Sequence, residues 1–100
     1  MEHLHQGDIL KIDKIKHPVL VVSKDFFNTS GEIIGCPIIK DSMPGPLHIW
    51  MATGEYEGYI QCEKLALLDL SIRGYKMIDR LPISEMINVS DAIQSIFEYI

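Results

Sequence analysis

The sequence predicts a small, mainly β protein: a compact antiparallel barrel with one α-helix at its C-terminal end. At least five short apolar segments are separated by turn-forming residues. The run Val19–Val22 is apolar on both faces of an extended chain, so it is expected to be a strand buried on two sides. Beyond Pro82 the apolar spacing changes to the period of an amphipathic helix.

Length and composition favour one folded domain over residues 1–100. Of the 100 residues, 47% are hydrophobic and 23% are charged, which is ordinary for a globular protein. The polar start of the chain lacks the apolar stretch of a secretory signal, and no apolar run approaches the roughly 20 residues that span a bilayer. We therefore expect a cytoplasmic protein.

The formal charge of −5 argues against a protein held on nucleic acid by bulk charge, so any such binding requires a local basic patch. Cys36 and Cys62 lie in separate apolar segments, and there is no CxxC spacing for a zinc site. Both are expected to be free, buried thiols. The sequence predicts no metal and no cofactor.

Most of the chain between Gly7 and Leu81 is expected to be strand. The predicted strands are Ile9–Asp13, Val19–Val22, Glu32–Ile39, Leu47–Met51, Tyr59–Glu63 and Tyr75–Leu81. Asp25–Gly31 is rich in turn-forming residues, and Leu65–Leu70 either continues extended or forms a short turn. Gly35 and Pro37 indicate a bend, a bulge or an edge position within their strand.

Alternation predicts which side chains of the later strands face the core. Leu47, Ile49 and Met51 are expected on one face, with His48 and Trp50 on the other. In the following strand Ile60 and Cys62 are expected inward; Tyr59, Gln61 and Glu63 are expected outward.

The C-terminal segment has one apolar helical stripe, formed by Met86, Val89, Ile93, Ile96, Phe97 and Ile100. Ser84 is a candidate N-cap. Ser90 could begin a second helix, so the pattern leaves open one helix or two.

Several segments resemble one protein family when taken in order. They are Gln6–Ile9, Pro18–Ser23, Asn28, Pro37–Ile38, Asp69, Arg73–Gly74 and Leu81–Pro82 ahead of a terminal helix. Together they resemble the MazF/PemK toxin family, which includes Kid and shares its fold with CcdB. The resemblance implies an SH3-like barrel, a homodimer and metal-independent endoribonuclease activity on single-stranded mRNA. It also implies an antitoxin whose disordered tail covers the RNA groove.

The chain departs from the family pattern at the positions expected to act on RNA. His17 stands where relatives commonly have an arginine before the proline, and Ile39, followed by Lys40, stands where they commonly have a threonine. Gln61 and Glu63 replace an arginine and an aspartate. The loop Lys14–Lys16 is also shorter than the corresponding loop of relatives.

The remaining residues suggest a way in which RNA can still be cut. RNA has its own nucleophile in the 2′-hydroxyl, so cleavage needs a base, an acid for the leaving oxygen and donors for the phosphate. Glu63 is predicted as the base and His17 as the acid. The predicted RNA-binding residues are Lys16, Lys40, Gln61, Arg73 and Trp50, with a dimer interface as the alternative place for Trp50.

Two other functions remain open from the sequence. The substitutions at Ile39 and Gln61 argue against the nuclease. Low overall basicity better fits a binding module that has lost catalysis and still binds RNA or an antitoxin-like peptide. The fold shared with CcdB would also allow inhibition of a protein target such as a topoisomerase, although no residue argues for it. Structurally, His17 could simply begin a strand, and Glu63 could be an ordinary solvated carboxylate.

Overall fold

The computed structural model describes residues 3–97, which form seven strands and two helices. The strands are β1 (Asp8–Ile12), β2 (Val19–Val21), β3 (Glu32–Ile39), β4 (His48–Ala52), β5 (Glu57–Gln61), β6 (Ala66–Asp69) and β7 (Tyr75–Arg80). The helices are α1 (Asp25–Asn28) and α2 (Ile83–Ile96). This mainly β architecture, with a curved antiparallel sheet and a C-terminal helix, confirms the predicted fold class.

Strand β3 is the centre of the sheet. The strands follow the order β4-β5-β3-β2-β1-β7, and β6 also pairs with β3. One edge of β3 pairs with β2, from Val19↔Pro37 to Val21↔Gly35. The other edge pairs first with β6 and then with β5. The edge position considered for this strand is therefore wrong, because β3 has partners on both sides.

Pro37 lies where β3 changes partners. The ladder with β6 ends at Gly35↔Ala66, and the ladder with β5 begins at Ile38↔Ile60. The Ile38 N–H points toward β2 and donates to the Pro18 carbonyl at 2.9 Å. Because backbone groups alternate along a strand, the nitrogen of Pro37 points to the opposite edge, where the ladder is interrupted. The proline thus occupies the position at which a missing N–H breaks no continuous ladder.

The core consists of two clusters on opposite faces of the central strands. The larger contains Ile9, Leu20, Cys36, Ile38, Met51, Ile60, Cys62, Leu81, Met86 and Val89. The smaller contains Leu4, Leu10, Ile12, Val19, Val21, Ile33 and Leu70. Since Leu20 enters the first cluster while Val19 and Val21 enter the second, β2 is buried on two sides, as predicted.

Helix α1 is a single helical turn where the sequence predicted only turns. The Lys24 carbonyl accepts the N–H groups of both Phe27 and Asn28 at 3.0 Å. Asn28 is buried, and its side-chain amide donates to the carbonyls of Leu4 at 2.8 Å and Ser23 at 3.0 Å. A turn-forming residue therefore fixes this helix through contacts distant in sequence, which local pattern does not reveal.

Helix α2 is one continuous helix covering the larger cluster. Met86 and Val89 are buried, whereas Ile96 and Phe97 are exposed, so only the first part of the predicted stripe is core. Ile100 lies outside the described residues. The N-cap prediction at Ser84 is wrong: the helix begins at Ile83, with Pro82 in the cap position. Among residues 3–97, no helix is long and apolar enough to cross a membrane.

Gly35 provides a test of the close packing between β2 and β3. A Cβ atom at this position would collide with Val19 Cγ1 and lie 3.0 Å from the Leu20 carbonyl oxygen. We expect Gly35→Ala to destabilise the protein by about 1–3 kcal/mol, measured by urea unfolding, since overpacking displaces the neighbouring strand. The control is Gly54→Ala, where no described atom lies within 4 Å. Equal stability of the two variants would contradict this packing.

Candidate functional site

The turn after β5 places Glu63 on the surface. Strand β5 ends at Gln61, whose carbonyl accepts the Lys64 N–H at 3.0 Å. Cys62 is buried, while Glu63 and Lys64 are exposed. Since the buried Cys62 holds the turn against the core, the carboxylate of Glu63 projects from a fixed backbone.

Glu63 forms an ion pair with His48, the first residue of β4. The distance between His48 Nε2 and Glu63 Oε2 is 2.7 Å. The other ring nitrogen, Nδ1, lies 2.7 Å from the carbonyl oxygen of Met43. A carbonyl and an ionised carboxylate only accept hydrogen bonds, so both contacts are hydrogen bonds when the ring carries a proton on each nitrogen.

The ion pair shifts the pKa of both groups. The hydrogen bond to Glu63, reinforced by the Met43 carbonyl, raises the pKa of His48 above its ordinary value. The same hydrogen bond lowers the pKa of Glu63. Lys64 acts against His48 protonation and favours ionised Glu63. Both shifts favour the charged forms of the two groups, a carboxylate beside an imidazolium.

Gln61 does not face outward, so this prediction is wrong. Its side chain is fully buried. The amide nitrogen donates to the Tyr59 carbonyl at 3.0 Å, and the amide oxygen accepts from the Ser42 hydroxyl at 3.2 Å. These contacts tie the segment before β4 to β5, and they leave no exposed surface on Gln61 for RNA.

His17 immediately precedes Pro18 at the start of β2 and is partly exposed. Within the described part of the chain its ring has no hydrogen-bond partner. The adjacent Lys16 is exposed, and its carbonyl accepts from Lys11 Nζ at 3.0 Å. The structure therefore brings His48, rather than His17, into contact with Glu63.

A shallow apolar cleft links the β1–β2 loop to the β5–β6 turn. It has a volume of about 200 Å³, and Ile15, Val19, Lys64 and Leu68 are among its lining residues. The loop that contains Lys16 and the turn that contains Glu63 therefore border the same cleft.

The other predicted cations lie at separate places. Lys40 borders a cavity of about 270 Å³ together with Glu55 and Glu57. Arg73 borders a cavity of about 480 Å³ with Asp13 and Lys14. Neither cation belongs to the set of residues that line the apolar cleft.

Trp50 lies two residues beyond His48 on the same face of β4. It is 47% exposed. Its ring packs edge-on against Tyr59, the residue opposite it on β5, with centroids 5.1 Å apart. The exposed aromatic surface is thus held rigidly on the face that also presents His48.

The two cysteines are free and buried, as predicted. Burial raises the pKa of the Cys62 thiol to about 11 and raises that of Cys36 as well. Both thiols stay protonated near neutral pH, which makes them core residues rather than nucleophiles.

Comparison with known proteins identifies the family. The family model described as "PemK-like, MazF-like toxin of type II toxin-antitoxin system" matches residues 6–97. This chain belongs to the PemK-like, MazF-like toxin family. A search of curated protein sequences finds no significant match.

Solved structures of MazF proteins share the fold of this family member. A chain of the MazE–MazF complex from Deinococcus radiodurans (Form-I) has a TM-score of 0.87 at 17% identity, covering 97% of this chain and 98% of its own. MazF (Form-I) from the same organism has a TM-score of 0.84 at 16% identity, covering 97% and 98%. A mycobacterial endoribonuclease in complex with its cognate antitoxin has a TM-score of 0.81 at 15% identity, covering 94% of each chain.

Sequence reasoning about this toxin-family chain left the His48–Glu63 contact unpredicted. Alternation correctly placed His48 and Trp50 on one face, but their partners depend on the register of the β4–β5 hairpin. That register sets His48 opposite Gln61, which is two residues before Glu63 in the chain. The residues Thr53–Gly58 are typical of a hairpin loop and predict that these strands pair, but the register depends on the type and length of the turn.

The ion pair predicts a pH-dependent contribution to stability. Because folding lowers the pKa of Glu63, its carboxylate stabilises the protein at pH values above the ordinary glutamate pKa of about 4.3. This stabilisation is lost as the pH falls. Because folding raises the pKa of His48, its imidazolium stabilises the protein at pH values below the ordinary histidine pKa of about 6.5. This stabilisation is lost as the pH rises through the higher pKa of the folded state. We expect the melting temperature of wild type to exceed that of His48→Gln most between about pH 4.3 and about pH 6.5.

Thermal unfolding followed by circular dichroism across this range measures the difference. His3→Gln, at an exposed position, is the control and should follow wild type at every pH. A stability difference for His48→Gln that does not vary with pH would show that the contact is not an ion pair.

Proposed function

We propose that this protein is the toxin of a type II toxin–antitoxin system and acts in the cytoplasm as a metal-independent endoribonuclease on single-stranded mRNA. The observation that supports activity is the exposed carboxylate of Glu63, held 2.7 Å from the ring of His48 in a contact that lowers the pKa of the carboxyl. It lies within the family match over residues 6–97. The endoribonuclease named among the solved structures shares this fold.

The chemistry needs no group beyond the RNA and the side chains. Glu63 accepts the proton of a 2′-hydroxyl, and the 2′-oxygen attacks the adjacent phosphorus. The bond from phosphorus to the 5′-oxygen then breaks. The products are a 2′,3′-cyclic phosphate and a 5′-hydroxyl, and DNA is excluded because it lacks the nucleophile.

Substrate contacts in this proposal are local, because the chain as a whole has a charge of −5. Lys16, Lys40 and Arg73 bind phosphates from separate edges of the surface, and Trp50 stacks on a base beside the reacting nucleotide. His17, at the start of β2, is the acid predicted from the sequence.

Replacing the carboxylate tests the proposed activity. We expect Glu63→Gln to cut a mixed-sequence RNA in EDTA about 10²–10⁴-fold more slowly than wild type, since the amide cannot accept the 2′-proton. Gel electrophoresis with mapping of the cyclic-phosphate ends measures the rates. Glu85→Gln, on helix α2, is the control and should cut like wild type.

The same assay distinguishes a module that no longer cleaves. The buried, neutral Gln61 at a position where relatives have an arginine favours that alternative. RNA binding by wild type, detected by fluorescence anisotropy without any cleavage, would replace the nuclease proposal with the binding module. Cleavage that persists in Glu63→Gln would instead overturn the choice of base.

We also propose that the protein binds a cognate antitoxin, by analogy with the MazE–MazF and endoribonuclease–antitoxin complexes among the similar structures. A homodimer is proposed from the family resemblance. Light scattering should give a mass of twice the 11.4 kDa chain. A monomer mass for wild type would contradict the dimer.

Trp50→Ala separates the two places considered for this side chain. If Trp50 stacks on a base, the variant keeps the dimer mass while its RNA affinity falls by about 1–3 kcal/mol. Tyr75→Ala, in strand β7, is the control for loss of a partly exposed aromatic ring. A monomeric Trp50→Ala with unchanged RNA affinity would place Trp50 in the interface.

A further inference from the structure

His48 is held as a proton donor beside the carboxylate of the site. Its ring donates from Nδ1 to the Met43 carbonyl and from Nε2 to Glu63, each at 2.7 Å. Among the described residues, the ring therefore has one contact to the backbone, at the Met43 carbonyl, and one to the side chain of Glu63, which has several rotatable bonds. The Met43 contact can hold the ring in place while Nε2 changes partner.

The pair is accessible from solvent. The side chains of His48 and Glu63 are 23% and 37% exposed. Lys64 lies next to Glu63 in the turn, and Trp50 adds an aromatic surface on the face that His48 occupies. A phosphodiester approaching this face meets the carboxylate and the imidazolium together.

We infer that His48 is a catalytic residue, the general acid that donates the Nε2 proton to the leaving 5′-oxygen of RNA. This inference rests on the proposed ribonuclease function and deepens it, because neither the family match nor the sequence pattern gives His48 a catalytic role. It also replaces His17 as the acid, since among residues 3–97 the structure brings His48, and not His17, into contact with Glu63.

His48 and Glu63 together neither gain nor lose a proton over the reaction. In the first step Glu63 takes the 2′-hydroxyl proton as the oxygen–phosphorus bond forms. The electron pair of the breaking bond goes to the 5′-oxygen, which takes the proton from His48 Nε2. Glu63 is then a neutral acid and His48 a neutral imidazole, so a direct transfer between them restores carboxylate and imidazolium without a further reactant.

The charged groups facing His48 make the rate depend on pH in a defined way. Glu63 favours the imidazolium and Lys64 opposes it, with the net effect raising the pKa of His48. Wild-type activity should rise with ionisation of Glu63 and fall at alkaline pH as His48 loses its proton. His48→Gln should lack the alkaline decline.

A substrate with a better leaving group provides the decisive experiment. The cut site is first mapped on mixed-sequence RNA, and an oligonucleotide is then made with sulfur in place of the bridging 5′-oxygen at that site. A thiol has a pKa of about 8.5, so the sulfur leaves without being protonated. We expect His48→Gln to cut normal RNA about 10²–10⁴-fold more slowly and the sulfur substrate within about tenfold of wild type.

The chain offers a matched control in a second histidine–carboxylate pair. His5 Nδ1 lies 2.8 Å from Asp25 Oδ2, away from the β4–β5 hairpin. His5→Gln should cut both substrates like wild type. Glu63→Gln should remain slow on both, because the sulfur substitution leaves the 2′-hydroxyl unchanged. Recovery on the sulfur substrate also shows that the His48→Gln protein is folded.

Each result decides between the two proposals. Wild-type rates for His48→Gln on normal RNA, or an equal defect on both substrates, would overturn the role of His48 and leave the nuclease function standing. If the sulfur substrate instead restored cleavage by His17→Gln and not by His48→Gln, the general acid would be His17. Failure of wild type to cut either substrate would overturn both the function and the acid.

Discussion

The interruption of the ladder at Pro37 is the constraint on which the site depends. Continuing the β3–β5 register by one residue from Ile38↔Ile60 sets Pro37 against Gln61. Proline has no N–H to donate, so this rung cannot form in full. The Gln61 carbonyl instead accepts the Lys64 N–H, which closes the turn. Glu63 therefore lies on the turn because the neighbouring strand cannot extend the sheet past Gln61.

The two core clusters turn this local break into a defined surface. Cys62 remains anchored in the larger cluster next to the break, and Met51 and Ile60 fix the β4–β5 hairpin against the same cluster. With both strands held, the register leaves His48 no freedom to slide relative to Glu63, since a shift of one residue would expose the buried side chains. The ion pair is thus a consequence of apolar packing rather than its cause.

The sequence allowed prediction of features that depend on local periodicity. The bounds Glu32–Ile39 are those of β3, the run around Leu20 is buried on two sides, and the segment beyond Pro82 is helical. It did not allow prediction of the burial of Gln61, because Ser42 and the Tyr59 carbonyl satisfy that amide through tertiary contacts. The His48–Glu63 contact depends likewise on hairpin register. Alternation gives the face of a side chain, whereas its partner depends on how the strands align.

An acidic chain can act on RNA only if its catalytic charges are arranged locally. A carboxylate alone would repel the phosphate it must approach, and at −5 the protein has no general attraction to offset this. In the proposed mechanism, pairing Glu63 with an imidazolium reduces that repulsion. The same contact favours ionised Glu63 and protonated His48, because each charge stabilises the other. In the proposed mechanism, base, acid and charge neutralisation thus depend on one hydrogen bond, placed by a proline two strands away from the histidine.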